Sequence, residues 1–185
     1  MEIDAAAAAR VRIVALDVDG VLTDNGIWVG PVAGERVELK RFHIQDGLGM
    51  RLLRTAGIPV LWISGRVSEA TALRADELRV DELLQVPGPE KLDALGKALS
   101  RRGLEWPEVA YVGDDLADLQ IMRRVGLPIA VANAVPDIRA VAALVTAAEG
   151  GHGAVREVVD ALLRARGVWA DMLDRYFTER TRRDV

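Results

Sequence analysis

Residues 13–24 read Ile13-Val14-Ala15-Leu16-Asp17-Val18-Asp19-Gly20-Val21-Leu22-Thr23-Asp24, and this stretch decides the fold. The apolar run before Asp17 predicts a short buried strand, which Gly20 ends just after Asp19. Two carboxylates two residues apart in extended chain point to the same side. Their repulsion favours a bound cation, and oxygen ligands suit a hard ion such as Mg²⁺. The alternative interpretation is an Asp-rich turn that only closes the strand.

The composition is that of one globular domain, because 185 residues can bury a sizeable core. A net charge of -4 argues against a general nucleic-acid binder. The sequence has no cysteine, so disulfides and thiolate metal sites are excluded. We find no apolar run as long as a membrane span, and the alanine-rich segment 5–9 has no basic leader. We therefore expect a cytoplasmic enzyme with no membrane or nucleic-acid partner.

Strand and helix patterns alternate along the chain. The first strand is expected over 11–17, followed by a β-hairpin within 25–42 and a helix over 48–55 with Asp46 as its N-cap. Further strands are expected at 59–63, 82–86, 109–112 and 128–131, and further helices at 68–78, 89–101 and 116–125. Such alternation predicts a parallel sheet with helices on both faces, which binds its ligand where the strands end.

Five polar residues, at four places along the chain, follow the predicted strands or open a predicted helix. Asp17 and Asp19 come first, Ser64 follows the apolar run 60–63, Lys91 opens a helix, and Asp114 follows the strand at 109–112. Taken alone, Ser64 could be a turn serine and Lys91 an exposed lysine. Lysine is a poor residue for a helix N-terminus, however, because the helix dipole is positive there. An anion site would explain it.

In this order the positions resemble the four motifs of the haloacid dehalogenase (HAD) phosphatase superfamily. The resemblance implies that Asp17 is the nucleophile and that Asp19 is the general acid and base. It implies that Ser64 and Lys91 bind the transferring phosphoryl group. It also implies a Mg²⁺ site formed by the Asp17 carboxylate, the Asp19 backbone carbonyl and Asp114. Asp at position 19 favours a phosphatase or phosphomutase.

Three more aspartates lie near these motifs. Asp118 comes one helical turn after Asp114, and we expect it to fix Lys91 or a metal-bound water. Asp115 is expected to be an N-cap rather than a ligand. Asp24 is either a turn residue or a group that supports the site.

Short spacings leave no room for a cap domain over the site. The interval from Asp17 to Ser64 holds a hairpin and one helix, and that from Ser64 to Lys91 holds one helix and one strand. We therefore predict a capless, HAD-like Rossmannoid α/β domain with a hairpin insertion after the first strand. The domain is assigned to 11–167, after a flexible or briefly helical segment 1–10 and before a C-terminal amphipathic helix and charged tail over 168–185.

The predicted hairpin carries more apolar side chains than an isolated ribbon needs: Ile27, Trp28, Val29, Val37 and Leu39. They could pack on their own domain. In the capless sugar-acid phosphatases that the chain resembles, such hairpins pack together and neighbouring subunits complete the pocket. We therefore predict a homotetramer.

The segment 42–51 is the most family-specific after the motifs. With 64–66, Arg74, 113–116 and 150–158 it resembles the 3-deoxy-D-manno-octulosonate 8-phosphate (KDO 8-phosphate) phosphatases. The resemblance implies a substrate pocket lined, besides Asp19 and Lys91, by His43, Ile44, Gln45, Asp46, Gly47, Arg51, Arg66 and Arg74. Guanidinium groups suit a substrate that carries a phosphate and a carboxylate. Arg51 and Arg74 could instead be a solvated helix face.

Two departures from the family pattern leave the substrate open. Gln45 and His152 stand where many of these phosphatases have Arg. A nonulosonate 9-phosphate or a related sugar-acid phosphate is therefore the runner-up substrate. A non-catalytic, HAD-like tetramerisation module is the alternative of another class, although the motif residues are all present in this chain.

Overall fold

The computed structural model of the chain describes residues 1–181, which form a six-stranded sheet and a separate two-stranded hairpin. The strands are β1 (Ile13–Asp17), β2 (Trp28–Val32), β3 (Glu35–Leu39), β4 (Val60–Ser64), β5 (Glu82–Gln85), β6 (Val109–Gly113), β7 (Leu127–Ala130) and β8 (Leu144–Val145). The α-helices are α1 (Ala5–Arg10), α2 (Ile44–Thr55), α3 (Glu69–Leu78), α4 (Lys91–Arg101), α5 (Leu119–Met122), α6 (Pro136–Val141), α7 (Ala154–Ala165) and α8 (Trp169–Thr181).

The large sheet has the order β5-β4-β1-β6-β7-β8 and all its pairings are parallel. The chain builds outward from β1 to β5 and then crosses back to add β6 on the other side of β1. The carboxyl ends of β4, β1 and β6 therefore lie side by side, and a reversal of strand order of this kind is where open parallel sheets bind ligands.

Apolar runs explain why β1, β4 and β6 lie in the centre of the sheet. Every residue of β1, β4 and β6 is buried, so both faces of the sheet are covered. On one side α2 packs on α7, joined by α1 and α8, and a second group has α5 in contact with α4 and α6. The predicted parallel α/β fold is confirmed.

No separate cap domain covers the strand ends within the described part of the chain. The hairpin and α2 fill the interval between Asp17 and Ser64, and α3, β5 and a 3₁₀ turn (Gly88–Glu90) fill that between Ser64 and Lys91. Among residues 1–181 we find no helix of the length and apolarity that crossing a membrane requires.

Several predicted elements differ in their bounds. The helix predicted over 48–55 starts at Ile44, so Asp46 is not its N-cap but a buried residue of the first turn. The helix predicted over 116–125 is a 3₁₀ turn (Leu116–Asp118) followed by the four-residue α5. The short elements α6 and β8 and the longer helix α7 were not predicted.

Both ends of the described chain pack on the domain. The N-terminal segment is a helix capped by Asp4, with Ile3 and Ala8 buried, which fits the helical alternative and not a free segment. The predicted C-terminal helix is α8, which buries Met172 and Tyr176. Residues 182–185 of the predicted tail lie outside the described residues.

Candidate active site

Asp17 and Asp19 lie at the carboxyl end of the central strand. Asp17 is the last residue of β1 and is buried. The chain then turns at Gly20, whose φ of 97° lies in the region that favours glycine. A Cβ on Gly20 would lie 2.0 Å from Asp114 Oδ2, so a side chain here would push Asp114 away. Glycine at this position therefore allows the carboxylates of two neighbouring strands to meet.

A buried lysine joins the carboxylates. Lys91, the first residue of α4, places Nζ 2.6 Å from Asp17 Oδ1 and 2.9 Å from Asp118 Oδ1. Asp118 also accepts hydrogen bonds from the Tyr111 hydroxyl at 2.7 Å and from the Asp114 backbone N–H at 3.1 Å. The structure thus brings together four residues singled out in the sequence, and Asp118 contacts Lys91 as expected.

The cluster carries more negative than positive charge. Oxygens of Asp17, Asp114 and Asp118 all lie within 4.8 Å of one another. Burial, followed by the charge of Asp118, raises the pKa of Asp17 well above its usual range and that of Asp114 to about 7. Burial alone lowers the pKa of Lys91, but Asp17 and Asp118 outweigh it and raise that pKa above its ordinary value. One ammonium does not balance three buried carboxyl groups.

Residues of the cluster fit a magnesium ion. Asp114 Oδ1 is buried and has no hydrogen-bond partner among the described residues. The oxygens of Asp118 already accept from Lys91, Tyr111 and the Asp114 N–H, which leaves Asp17 and Asp114 to face a cation. All-oxygen ligands and surplus negative charge are what Mg²⁺ requires. In the predicted site the Asp19 carbonyl is the third ligand.

An open cleft of about 270 Å³ lies above the strand ends. It is lined by Asp17, Asp19, Asn25, Gly65, Arg66, Gly88, Lys91, Asp114, Asp115, Ala117 and Asp118. Ser64, at the end of β4, is buried beside it with Oγ 3.2 Å from Asp19 Oδ2. Asp115 caps the following 3₁₀ turn through the Leu116 N–H at 2.7 Å, as expected for an N-cap.

Lys40 belongs to the site, and the sequence reasoning missed it. Its side chain is completely buried, and Nζ lies 2.6 Å from Asp19 Oδ1. The sequence held one signal, since the chain has only three lysines, at 40, 91 and 97. Lys40 follows the strand that carries Glu38, and strand alternation puts these two side chains on one face of the hairpin.

Several predicted substrate residues lie around a second, narrow pocket with no room for a water molecule, and not in the cleft. His43, Asp46, Gly47 and Arg74 line it together with Phe42. Four side-chain atoms of this pocket are buried without a hydrogen-bond partner among the described residues: His43 Nδ1, Asp46 Oδ2, Trp62 Nε1 and Arg74 Nε. Burial raises the pKa of Asp46, whose Oδ1 accepts the Arg156 N–H at 2.7 Å.

The remaining predicted substrate residues point to solvent in the single chain. Ile44, Gln45 and Arg51 are exposed and line neither cavity, while Arg66 lies at the mouth of the cleft. A single chain therefore brings together only the acidic residues of the predicted pocket and Arg66. The roles of the other residues in substrate binding stay predictions.

A glycine-rich turn packs against the loop after Asp19. A Cβ on Gly150 would lie 1.7 Å from Gly20 O, so the two backbones touch. His152 Nε2 lies 2.7 Å from an Arg41 guanidinium nitrogen, and Arg41 also donates to Asp24 Oδ2 at 2.8 Å. Asp24 accepts the Gly26 N–H at 3.2 Å, which makes it a turn residue of this loop.

This fold, with its carboxylate pair after the central strand and its buried lysine, is that of a capless HAD-like hydrolase. Residues 82–158 match the family model of the haloacid dehalogenase-like hydrolases. The chain is 44% identical over 162 residues to a 3-deoxy-D-manno-octulosonate 8-phosphate phosphatase of Escherichia coli K12, covering 88% of this chain and 84% of the relative. The corresponding Yersinia pestis phosphatase is 42% identical over 159 residues, covering 86% and 83%.

Solved structures of related phosphatases share the fold of this chain. The phosphatase of Moraxella catarrhalis, in complex with magnesium, phosphate and KDO, superposes with a TM-score of 0.87 at 37% identity, covering 93% of this chain and 97% of that one. A cobalt-bound Haemophilus influenzae phosphatase gives a TM-score of 0.80 at 32% identity, covering 90% and 98%. Within the HAD-like hydrolases, the chain belongs to the 3-deoxy-D-manno-octulosonate 8-phosphate phosphatase family.

Proposed function

We propose that the protein is a Mg²⁺-dependent phosphatase that hydrolyses KDO 8-phosphate to KDO and phosphate. The observation that carries the proposal is the buried Asp17, Lys91 and Asp118 cluster beside Asp114 at the ends of β1 and β6. The level of identity to KDO 8-phosphate phosphatases over most of the chain supports the choice of substrate.

In the first step an Asp17 oxygen attacks phosphorus and the bond from phosphorus to the sugar oxygen breaks. Asp19 gives its proton to the departing sugar oxygen. In the second step water attacks the aspartyl-phosphate, its proton passes to Asp19, and the bond between Asp17 and phosphorus breaks. The carboxylate of Asp17 and the acid form of Asp19 are restored, and one phosphate is released.

Lys91 and Ser64 suit the handling of the phosphoryl group. The Lys91 ammonium is held beside the attacking oxygen by Asp118, so it can balance charge on the phosphoryl oxygens without moving. Ser64 Oγ, at the end of β4 and 3.2 Å from Asp19 Oδ2, can turn its proton to a phosphoryl oxygen when the substrate binds. Mg²⁺ held by Asp17, Asp114 and the Asp19 carbonyl would further reduce the charge on the phosphoryl oxygens.

The homotetramer is part of the proposal. The hairpin exposes 60% of Trp28, 61% of Val32 and 58% of Leu39. Strand pairing places Trp28 opposite Leu39 and Gly30 opposite Val37, so these apolar side chains share one face. An exposed apolar face of this kind marks an interaction surface. In the proposed tetramer a neighbouring subunit packs on this face and closes the open cleft.

The cytoplasmic location of the protein stays a prediction.

Phosphate release by the purified protein tests the function. KDO 8-phosphate, a nonulosonate 9-phosphate and glucose 6-phosphate would be compared at matched concentrations, with Mg²⁺ and with EDTA. We expect a strong, metal-dependent preference for KDO 8-phosphate. Preference for the nonulosonate would transfer the assignment to that acid and implicate Gln45 and His152. If no phosphate is released from any substrate, the protein is a non-catalytic assembly module.

A further inference from the structure

We propose that Lys40 is a positioning residue that sets the direction of the Asp19 carboxyl group. The proposal rests on the proposed function, in which Asp19 protonates the leaving sugar oxygen. Lys40 does not line the cleft, and the cleft-lining side chain that it contacts is Asp19. Its side chain is fully buried although lysine is among the residues least often buried.

Both oxygens of Asp19 have partners. Lys40 Nζ lies 2.6 Å from Oδ1, and Ser64 Oγ lies 3.2 Å from Oδ2. The Ser64 hydroxyl has one proton, which Arg66 O at 3.0 Å or a phosphoryl oxygen can also accept, so Lys40 is the partner that holds the Asp19 carboxyl group throughout. The short contact to Lys40 is the stronger of the two, because bonds between charged groups are about twice as strong as neutral ones.

Lys40 is itself held in place. Nζ donates to Thr71 Oγ1 at 3.1 Å, and Thr71 is a buried residue of α3. Glu38 lies 3.7 Å from Nζ and is anchored by the Ser68 hydroxyl at 2.7 Å and by Arg66 at 2.8 Å. The ammonium therefore has a fixed position, set by β3 and α3 and independent of the substrate.

The hairpin that carries Lys40 is also fixed against the loop after Asp19. Thr23 and Phe42 form an antiparallel bridge just beyond the hairpin. Glu38 and Lys40, two residues apart, face the domain, while Val37 and Leu39 lie on the other side of the ribbon. One face of the hairpin thus supports Asp19, and the opposite face is the exposed apolar surface.

The alternative is that Lys40 only balances buried charge. The two roles differ in their dependence on the leaving group. A sugar alkoxide needs a proton from Asp19 to leave, whereas p-nitrophenolate leaves without one. In the first step, loss of a merely structural lysine would slow the release of both leaving groups alike, but loss of the group that aims Asp19 would slow the release of the sugar selectively. The second step, in which Asp19 takes the proton of water, is common to both substrates.

The experiment compares Lys40→Met with wild type on KDO 8-phosphate and on p-nitrophenyl phosphate, both with Mg²⁺. We expect kcat on the sugar phosphate to fall about 10- to 100-fold with little change in KM, because small misplacements of a catalytic group can cost about 10²-fold. We expect the pre-steady-state burst of p-nitrophenolate, which reports the first step alone, to slow by less than about threefold, because general acid catalysis, worth about 10²–10⁴-fold, is not needed in that step. Lys97→Met, on the exposed face of α4, is the matched control and should change neither.

A double-mutant comparison separates this proposal from the proposed function. In the Asp19→Asn background, Lys40→Met should add no further loss, since Lys40 acts through Asp19. Equal losses in the first step on both substrates, or additive losses in the double variant, would overturn the positioning role while the phosphatase assignment stands. If wild type turns over another alkyl phosphate and not KDO 8-phosphate, only the substrate is wrong and that alkyl phosphate takes its place. A wild-type protein without any turnover would overturn both proposals.

Should Lys40→Met fail to fold, Thr71→Val offers a second route. It keeps the shape of the side chain, does not line the cleft, and removes the hydroxyl that accepts from Lys40 Nζ. A smaller loss with the same selectivity for the sugar phosphate is expected. An equal loss in the first step on both substrates would contradict the proposal.

Discussion

Lys91 Nζ lies 2.6 Å from Asp17 Oδ1, and both side chains are less than 10% exposed, at 3% and 7%. Breaking a buried ion pair by removing one partner is costly because the other charge stays buried. We therefore expect Lys91→Met to lower the free energy of unfolding by about 3–5 kcal/mol in urea denaturation. Turnover should fall by at least about 10²-fold, as for other groups that stabilise transition-state charge. Lys97→Met, which removes an exposed ion pair, is the control, and its free energy of unfolding and its turnover should equal those of wild type.

Asp17→Asn tests the nucleophile without weakening the fold. The substitution removes one of three clustered carboxyl groups, and Lys91 keeps Asp118 at 2.9 Å as its charged partner, so the metal-free protein should be at least as stable as wild type. Phosphate release should nevertheless become undetectable, because an amide oxygen cannot form the aspartyl-phosphate. Phosphate release would be measured alongside thermal melting. Intact turnover in this variant would show that another residue attacks phosphorus.

Asp114 makes stability depend on pH and on magnesium. Its pKa is raised by burial and by Asp118 to about 7, above the ordinary value of 3.8. The folded chain therefore binds a proton more tightly than the unfolded chain, and metal-free stability falls as pH rises from about 4 to about 7. At about 1.4 kcal/mol per pKa unit the loss is a few kcal/mol.

Magnesium should reverse that loss. Above pH 7 the ion meets a deprotonated Asp114, whereas at pH 5 it must displace a proton. We expect the increase in Tm on adding Mg²⁺ to be larger at pH 8 than at pH 5, as measured by calorimetry against EDTA. Asp114→Asn should reduce the difference between the two pH values, and the remainder belongs to Asp17, whose pKa is also raised by burial. An equal increase at both would place the metal elsewhere.

The sequence predicted the central strands and the residues at their ends because both signals are local. Apolar runs such as 60–63 and 109–112 predict buried strands, and the polar residue that follows each run lies at the edge of the sheet. The positions of Asp17, Ser64 and Asp114 follow from this rule alone. Helix bounds were less certain, because α2 begins at Ile44 with no side-chain cap to mark it.

Contacts between distant segments could not be predicted in the same way. Lys40 reaches Asp19 only because the hairpin folds back along α3, and no local pattern indicates which side of a two-stranded ribbon faces the domain. Asp46 has an N-cap's residue type and spacing, yet its carboxylate accepts the N–H of Arg156, 110 residues further along the chain. Such pairings depend on tertiary packing.

Gly150 joins the glycine-rich turn to the catalytic loop. A Cβ there would lie 1.7 Å from Gly20 O, so Gly150→Ala must push the loop that carries Asp19. We expect a loss of about 1–3 kcal/mol in the free energy of unfolding, the range for overpacking, and a fall in kcat. Gly57→Ala, with a φ of 75° and open space around it, is the control. It should lose about 1 kcal/mol through backbone strain and keep its kcat.

The hairpin links assembly to the site, because its apolar face is opposite the face that holds Lys40 against Asp19. A Trp28→Glu, Val32→Asp double variant places two negative charges on that apolar face, which would be buried in the tetramer without partners and would repel each other. Sedimentation velocity should then show monomers where wild type shows tetramers. Turnover of the sugar phosphate should fall, while Val145→Asp, on the far edge strand β8, should leave assembly and turnover unchanged. A wild-type monomer at micromolar concentration, or full turnover by the dissociated variant, would mean that one chain forms the complete site.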